Sequence, residues 1–246
     1  MTEQNSTPEI INKLAEQIVF STFANPVETG TALADHIGEL LTKAVTQRGK
    51  ASMAVSGGST PKPLFQALAK KDLDWQNIHI TLVDERWVPP DHPESNEKLV
   101  RDHLLQDKAA KALFTGLKTE HINAAASRKT TEEQLKTLPL PFDVVILGMG
   151  GDGHTASFFP NAPELPKALN PNSTNLCETI TPPHAPHQRM TLTLPVLLKA
   201  RHLILHITGT DKLTVLNNAL TQQNAKQMPI YSVFDDGSSP SVYWCP

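Results

Sequence analysis

FDVVILGMGGDGHTASFFP, residues 142–160, decides how the rest of the chain is read. Residues 142–147 form a nearly continuous apolar run, the pattern of a strand covered on both faces. A glycine-rich turn follows, in which Gly148, Gly150 and Gly153 match the G-x-G-x-x-G spacing of a dinucleotide-binding loop. That fingerprint opens a substantial helix and expects an acidic residue about 20 positions further on, at the end of the next strand. Here Pro160 stops any helix that begins near Thr155, and a Pro-rich stretch lies between the loop and Glu178. The glycines are therefore read as a tight turn that exposes N–H groups and holds a histidine at a strand end. His154 is suited to remove a proton from water near neutral pH, and Asp152 to orient its ring or position a ligand. The N–H groups around Gly150 and Gly151 are candidates to stabilise a developing oxyanion.

Outward from this loop, short apolar runs alternate with helical patterns. Leu33, Ile37, Leu40, Leu41 and Ala44 recur at helical spacing within 28–47. Residues 51–55 read as a strand that stops at SGGSTP. A helix over 61–69 follows, with Thr60 as N-cap and Pro61 at its first position. Strands are predicted at 78–83, 190–194, 202–208, 230–234 and 242–244, and helices at 95–105, 130–138, 195–199 and 211–220. The Pro-rich piece 161–171 reads as a surface loop. Strand and helix in alternation predict a doubly wound α/β fold, Rossmann-like, with a mostly parallel sheet flanked by helices. Residues 1–246 are expected to form one domain, because neither a repeat nor a linker interrupts the pattern.

In such a sheet, ligands bind beyond the carboxyl ends of the strands. Four predicted strands end in polar or glycine-rich segments: SGGST, DER, GMGGDGH and GTDK. In the first, Gly57 and Gly58 let backbone N–H groups turn inward, and Ser56, Ser59 and Thr60 add hydroxyls before a helix. That is a phosphate cradle without the lysine of a nucleotide-triphosphate loop, so a sugar phosphate suits it better. Arg86, after Asp84 and Glu85, is a candidate phosphate clamp. Lys212 would sit unfavourably in the first turn of its helix unless an anion were present.

Other residues carry less. His184 and His187 lie in a Pro-rich loop with no third ligand nearby, so a metal site there is not expected. Asp91, His92 and Glu94 read as a loop bordering the site, and His202 and His206 as packing or surface residues on one strand face. Ser59 lacks the G-x-S-x-G elbow of an acyl nucleophile.

Composition narrows the function classes. Of 246 residues, 39% are hydrophobic and 19% charged, which supports a core and argues against disorder. The net charge of −3, with no basic block, argues against nucleic acid as a partner. The first twenty residues do not form a secretory signal, and no run is long enough for a bilayer span. Cys177 and Cys245 match no metal or redox spacing and are expected to be structural, in a cytoplasmic protein that is a monomer or a weak homodimer.

SGGSTP (56–61), DERWVPPDHPESN (84–96), the 142–160 stretch, RMTLTLPVLLKARHLILHITG (189–209) and Lys212, in that order, resemble the 6-phosphogluconolactonase family. The resemblance runs from about residue 51 to the terminal VYW and leaves the first 25 residues outside. It implies hydrolysis of 6-phospho-D-glucono-1,5-lactone to 6-phosphogluconate in the oxidative pentose phosphate pathway, with no metal or organic cofactor. It implies the fold shared with glucosamine-6-phosphate deaminases. By position, His154 matches the water-activating base and Asp152 its companion; Gly57, Gly58, Ser59, Arg86 and Lys212 match phosphate-side residues. Arg189 matches the arginine that opens the R-x-T-x-T strand. It reaches the site only if that strand runs antiparallel or the preceding loop folds over. The chain departs from the family pattern in PPHAPHQ before Arg189 and in Leu213 after Lys212. Two alternatives stand beside this reading. The deaminase branch has DGHIAFNEP and DEYVGL where this chain has DGHTASFFP and DERWVP. A non-catalytic sugar-phosphate sensor would need no Asp152–His154 pair.

Overall fold

The strands at the centre of the sheet, 51–55 and 144–147, are buried along their whole length, and such strands need cover on both faces. The computed structural model describes residues 6–235 and 240–246. In chain order it comprises α1 (Thr7–Gln17), β1 (Phe20–Thr22), α2 (Pro26–Arg48), β2 (Ala51–Val55), α3 (Lys62–Ala69), β3 (Ile78–Leu82) and β4 (Asp84–Arg86). Next come α4 (Asn96–His103), β5 (Leu113–Thr115), α5 (Ala124–Lys136), β6 (Val144–Leu147), α6 (Leu165–Ala168) and β7 (Cys177–Ile180). The chain closes with β8 (Arg189–Leu192), α7 (Leu194–Leu198), β9 (His202–Thr208), α8 (Thr210–Gln222) and β10 (Ser241–Cys245). Among the described residues no helix is long and apolar enough to cross a membrane.

Seven strands form a parallel sheet in the order β1-β10-β9-β6-β2-β3-β5, and every residue of β2 and β6 is buried. From β2 the chain winds outward through β3 to β5, then returns to β6 on the other side of β2 and winds outward through β9 and β10. The windings diverge between β2 and β6, and a crevice opens at such a switch point. The helix α2 lies against β2, β6 and β10. Its start is set by Asn25, whose side chain accepts from the N–H groups of Val27 and Glu28 at 3.1 and 3.0 Å, with Pro26 in the first turn. Its end is set by Gly49 in the left-handed region, φ 74°. Leu33, Ile37 and Leu41 on its inner face are fully buried, each stabilising the fold by about 2 kcal/mol over exposure.

A second sheet, β4-β8-β7, is antiparallel and pairs Arg86 with Arg189 in register. The R-x-T-x-T strand thus lies apart from the main sheet, in the antiparallel direction that brings Arg189 to the site side.

Several boundaries differ from the sequence expectation. Residues 230–234, apolar enough to predict a strand, form a 3₁₀ turn (Pro229–Val233). Pro229 opens that turn, and the Ile230 N–H donates to the Gly153 carbonyl at 2.8 Å instead of to a sheet partner. The helix predicted from Thr130 begins at Ala124, capped by Asn123 onto the Ala126 N–H at 2.8 Å; the intervening alanines carry high propensity but no apolar period. Thr60 is not the cap of α3, whose preceding residue is Pro61. The first 25 residues, outside the resemblance, contain α1, which meets α8, and β1, which pairs with β10 at the sheet edge. Strands β1, β4, β5 and β7 have three or four residues each, too few for a period to show.

Candidate active site

At the switch point lies a crevice of about 290 Å³ lined from four strand ends. From β2 come residues 56–61, from β4 Asp84 and Arg86, from β6 residues 146–150 with His154, and from β9 and α8 His206 and Lys212; Asn96 and Ala156 complete the lining. Of the residues marked in the sequence, the crevice gathers Ser56, Gly57, Gly58, Ser59, Thr60, Arg86, Gly150, His154 and Lys212. Asp152, Gly151 and Arg189 are not among the lining residues, although Gly151 adjoins Lys212, which is.

The loop after β6 is shaped by its own short bonds. His154 Nδ1 meets Asp152 Oδ1 at 2.5 Å, and the His154 backbone N–H donates to the same oxygen at 3.1 Å. A carboxylate only accepts, so Nδ1 carries the hydrogen of this bond, and in the neutral ring the lone pair is then on Nε2. Burial raises the Asp152 carboxyl pKa, but the ring hydrogen bond and charge of His154, with backbone N–H groups, outweigh it and hold the group at about 2. A Cβ on Gly150 would stand 2.1 Å from His154 Nδ1, so the imidazole occupies space that only glycine leaves. The Gly150 N–H donates to the His154 carbonyl at 2.8 Å and is spent. That removes it from the expected oxyanion donors. The Gly151 N–H has no acceptor among the described residues, and the Lys212 ammonium lies beside Gly151.

The loop is tied to its neighbours. Gly148 N–H donates to Ser56 Oγ at 3.2 Å, Thr155 Oγ1 to the Gly148 carbonyl at 2.8 Å, and Ser157 Oγ to Asp84 Oδ2 at 2.5 Å. The imidazole rests on Phe159, ring centroids 4.4 Å apart, and the Arg189 guanidinium lies over the same ring at 5.7 Å. Arg189 itself donates to the carbonyls of Pro186 and His187, at 2.6 and 2.9 Å. It therefore supports the wall from behind Phe159 and does not line the crevice.

Arg86 is aimed by Asn96, which the sequence analysis did not mark, and by the 91–94 loop, which it placed at the border of the site. Its Nη1 donates to the Glu94 carbonyl at 2.8 Å and to Asn96 Oδ1 at 3.0 Å, while Asn96 Nδ2 donates to the Asp84 carbonyl at 2.8 Å. Asn96 is in turn placed by Glu85, which is fully buried. One Glu85 oxygen accepts from the N–H groups of Arg86 and Asn96, the other from the Glu97 N–H and Ser95 Oγ, all at 2.8–3.0 Å. Burial pushes this carboxyl up to about 6 against the pull of those four donors. A signal for Asn96 was present: an Asn just inside a Ser-capped helix, close after Arg86. The PPHAPHQ loop reaches the 91–94 loop, where His187 Nε2 donates to Glu94 Oε2 at 2.9 Å and His92 stands edge-on to His187.

His202 is exposed, whereas His206 is buried against the crevice, so the shared strand face did not share a fate. Cys177 and Cys245 are buried and unpaired.

A doubly wound sheet with a small-molecule crevice at its switch point, lined by cations and a carboxylate-held histidine, defines an α/β enzyme acting on small anionic ligands. The chain belongs to the family of glucosamine-6-phosphate isomerases/6-phosphogluconolactonases, whose model matches residues 24–244. Its relatives include the 6-phosphogluconolactonases of Rhizobium meliloti, 44% identical over 91% of this chain and 97% of that protein, and of Pseudomonas aeruginosa, 39% identical over 95% and 98%. The crystal structure of a 6-phosphogluconolactonase from Shewanella baltica superposes with a TM-score of 0.91, at 45% identity over 94% of this chain and 99% of that one. A monomeric glucosamine-6-phosphate deaminase shares the fold at a TM-score of 0.75 and 16% identity, covering 92% of this chain and 96% of its own.

Proposed function

We propose that the crevice binds 6-phospho-D-glucono-1,5-lactone and that His154 delivers water to its C1 carbonyl. The activity is that of a 6-phosphogluconolactonase, a hydrolase that yields 6-phosphogluconate. One observation carries the reading: an imidazole held through one nitrogen on Asp152 lines the same crevice as Arg86 and Lys212. Phosphate charge sits with Arg86, Lys212 and the N–H and hydroxyl groups of residues 56–60. His154 Nε2 takes a proton from water while the water oxygen bonds to C1 and the carbonyl electrons move to oxygen. The Gly151 N–H is the free loop donor for that oxyanion. On collapse the bond from C1 to the ring oxygen breaks, the ring oxygen takes the proton from Nε2, and the open-chain acid ionises. The negative Asp152 steadies the imidazolium between the two transfers. Arg189 acts through Phe159 on the placement of the imidazole. A reducing cytoplasm suits the two buried thiols.

The test is hydrolysis of freshly prepared lactone by the purified protein, with spontaneous opening subtracted and with EDTA in a parallel series. Fast, chelator-insensitive release of 6-phosphogluconate is expected. His154→Ala should lose about a hundredfold or more in turnover while still binding 6-phosphogluconate. Full activity in that variant refutes the base assignment, and ammonia release from glucosamine 6-phosphate without lactone hydrolysis refutes the substrate.

A further inference from the structure

His206 is the one buried histidine whose two ring nitrogens both lack a hydrogen-bond partner among the described residues. It is 2% exposed and lies on the crevice wall. Its position follows from register. Ile204 and Leu205 of β9 pair with Ile146 and Leu147 of β6, so His206 stands one step further, level with Gly148 where the loop bearing His154 begins. On its other side it pairs with Tyr243 of β10. The sheet thus places an unsatisfied imidazole at its carboxyl edge, beside the loop that carries the proposed base.

Buried polar groups in folded proteins are as a rule hydrogen-bonded, and an exception at a binding site calls for a reason. Burial alone holds the His206 pKa down to about 4, so the ring is neutral at physiological pH. A neutral imidazole presents one N–H donor and one acceptor nitrogen. Phosphate and carboxylate accept only and are better met by Arg86 and Lys212. A hydroxyl both donates and accepts, and a sugar lactone carries several.

We infer that His206 is a specificity residue that hydrogen-bonds a ring hydroxyl of the sugar lactone in the crevice. The inference rests on the lactone reading above and deepens it. The phosphate end is gripped by charge, the carbonyl end is met by His154, and the hydroxyl pattern between them is read by a neutral ring. A site built to bond a hydroxyl discriminates against the analogue that lacks it, because its own buried polar group is then left unpaired.

The experiment compares kcat/KM for the parent lactone with its 2-, 3- and 4-deoxy analogues, for the wild-type chain, His206→Phe and His206→Asn. In the wild type at least one deoxy analogue should fall tenfold or more below the parent. In His206→Phe the parent should fall by a similar factor, and the gap to that one analogue should close to within about threefold, while binding of inorganic phosphate persists. His206→Asn, which keeps a donor and an acceptor, should restore part of the discrimination, and it decides the matter if the Phe variant does not fold. Three results overturn the inference: a wild type indifferent to every deoxy analogue, a Phe variant that keeps the wild-type gap, or an Asn variant that restores none of it. A wild-type chain that hydrolyses no lactone defeats the proposed function instead, and is told apart in the first measurement.

Discussion

Gly57→Ala adds one methyl group where the structure has no room for it. A Cβ on Gly57 would lie 1.8 Å from Asn96 Oδ1, 2.4 Å from its Cγ and 2.9 Å from its Nδ2. Gly57 is outside the left-handed region, so the effect is steric and not conformational. Asn96 cannot yield freely, being 2% exposed and held at both ends of its amide, by the Asp84 carbonyl and by Arg86 Nη1. Displacing it breaks a neutral hydrogen bond worth about 1 kcal/mol and one from a guanidinium worth about 1.5–3 kcal/mol, so about 3 kcal/mol of stability goes. Arg86 keeps only its bond to the Glu94 carbonyl and loses its aim. KM should rise about ten- to a hundredfold, equivalent to about 1.4–2.8 kcal/mol of binding. Turnover should stay within about threefold, because His154 is anchored by Asp152 and Gly150 within the separate loop after β6. Urea unfolding and steady-state hydrolysis measure the two effects. Asn96→Ala supplies the decisive control, since it removes the amide the new methyl strikes. On that background Gly57→Ala should cost under about 1 kcal/mol. An equal cost on both backgrounds would refute the steric coupling.

Two further outcomes are expected. Arg86→Ala should raise KM and weaken 6-phosphogluconate binding with turnover largely kept; lost turnover at unchanged affinity would contradict the phosphate role. Glu85, raised to about 6 from 4.5, holds its proton more readily folded than unfolded. Its contribution is present in full below about pH 4.5 and is lost as pH climbs through 6, a fall of about 2 kcal/mol. The stability difference between wild type and Glu85→Gln, followed by urea unfolding from pH 4 to 8, should change by that amount, and a flat difference would disprove it.

The pieces that were legible in the sequence are local. The short apolar runs in β2, β6 and β9 announce a buried parallel sheet, and the helical spacing of Leu33, Ile37 and Leu41 announces the buried face of α2. Asp152 and His154 are two residues apart on a glycine turn, so their hydrogen bond follows from the loop itself. Thr60 as a cap and 230–234 as a strand failed for different reasons: a proline displaced the first, and a contact from the distant Gly153 carbonyl claimed the backbone of the second.

From the sequence alone one reads the α/β class, the polar strand ends and the residue types at each: a histidine with its carboxylate, two cations and a glycine-rich turn. Those features depend on near neighbours, on apolar period and on turn chemistry. Which remote side chains share a space was settled by the packing of the folded chain. It seated Asn96 against Gly57 and so aimed Arg86, and turned β8 antiparallel so that Arg189 stands behind Phe159. It spent the Gly150 N–H on the His154 carbonyl, and buried His206 in the crevice while leaving His202 in solvent. Register and strand direction arise when segments far apart in the chain close on one another, and no window of neighbouring residues encodes that closure.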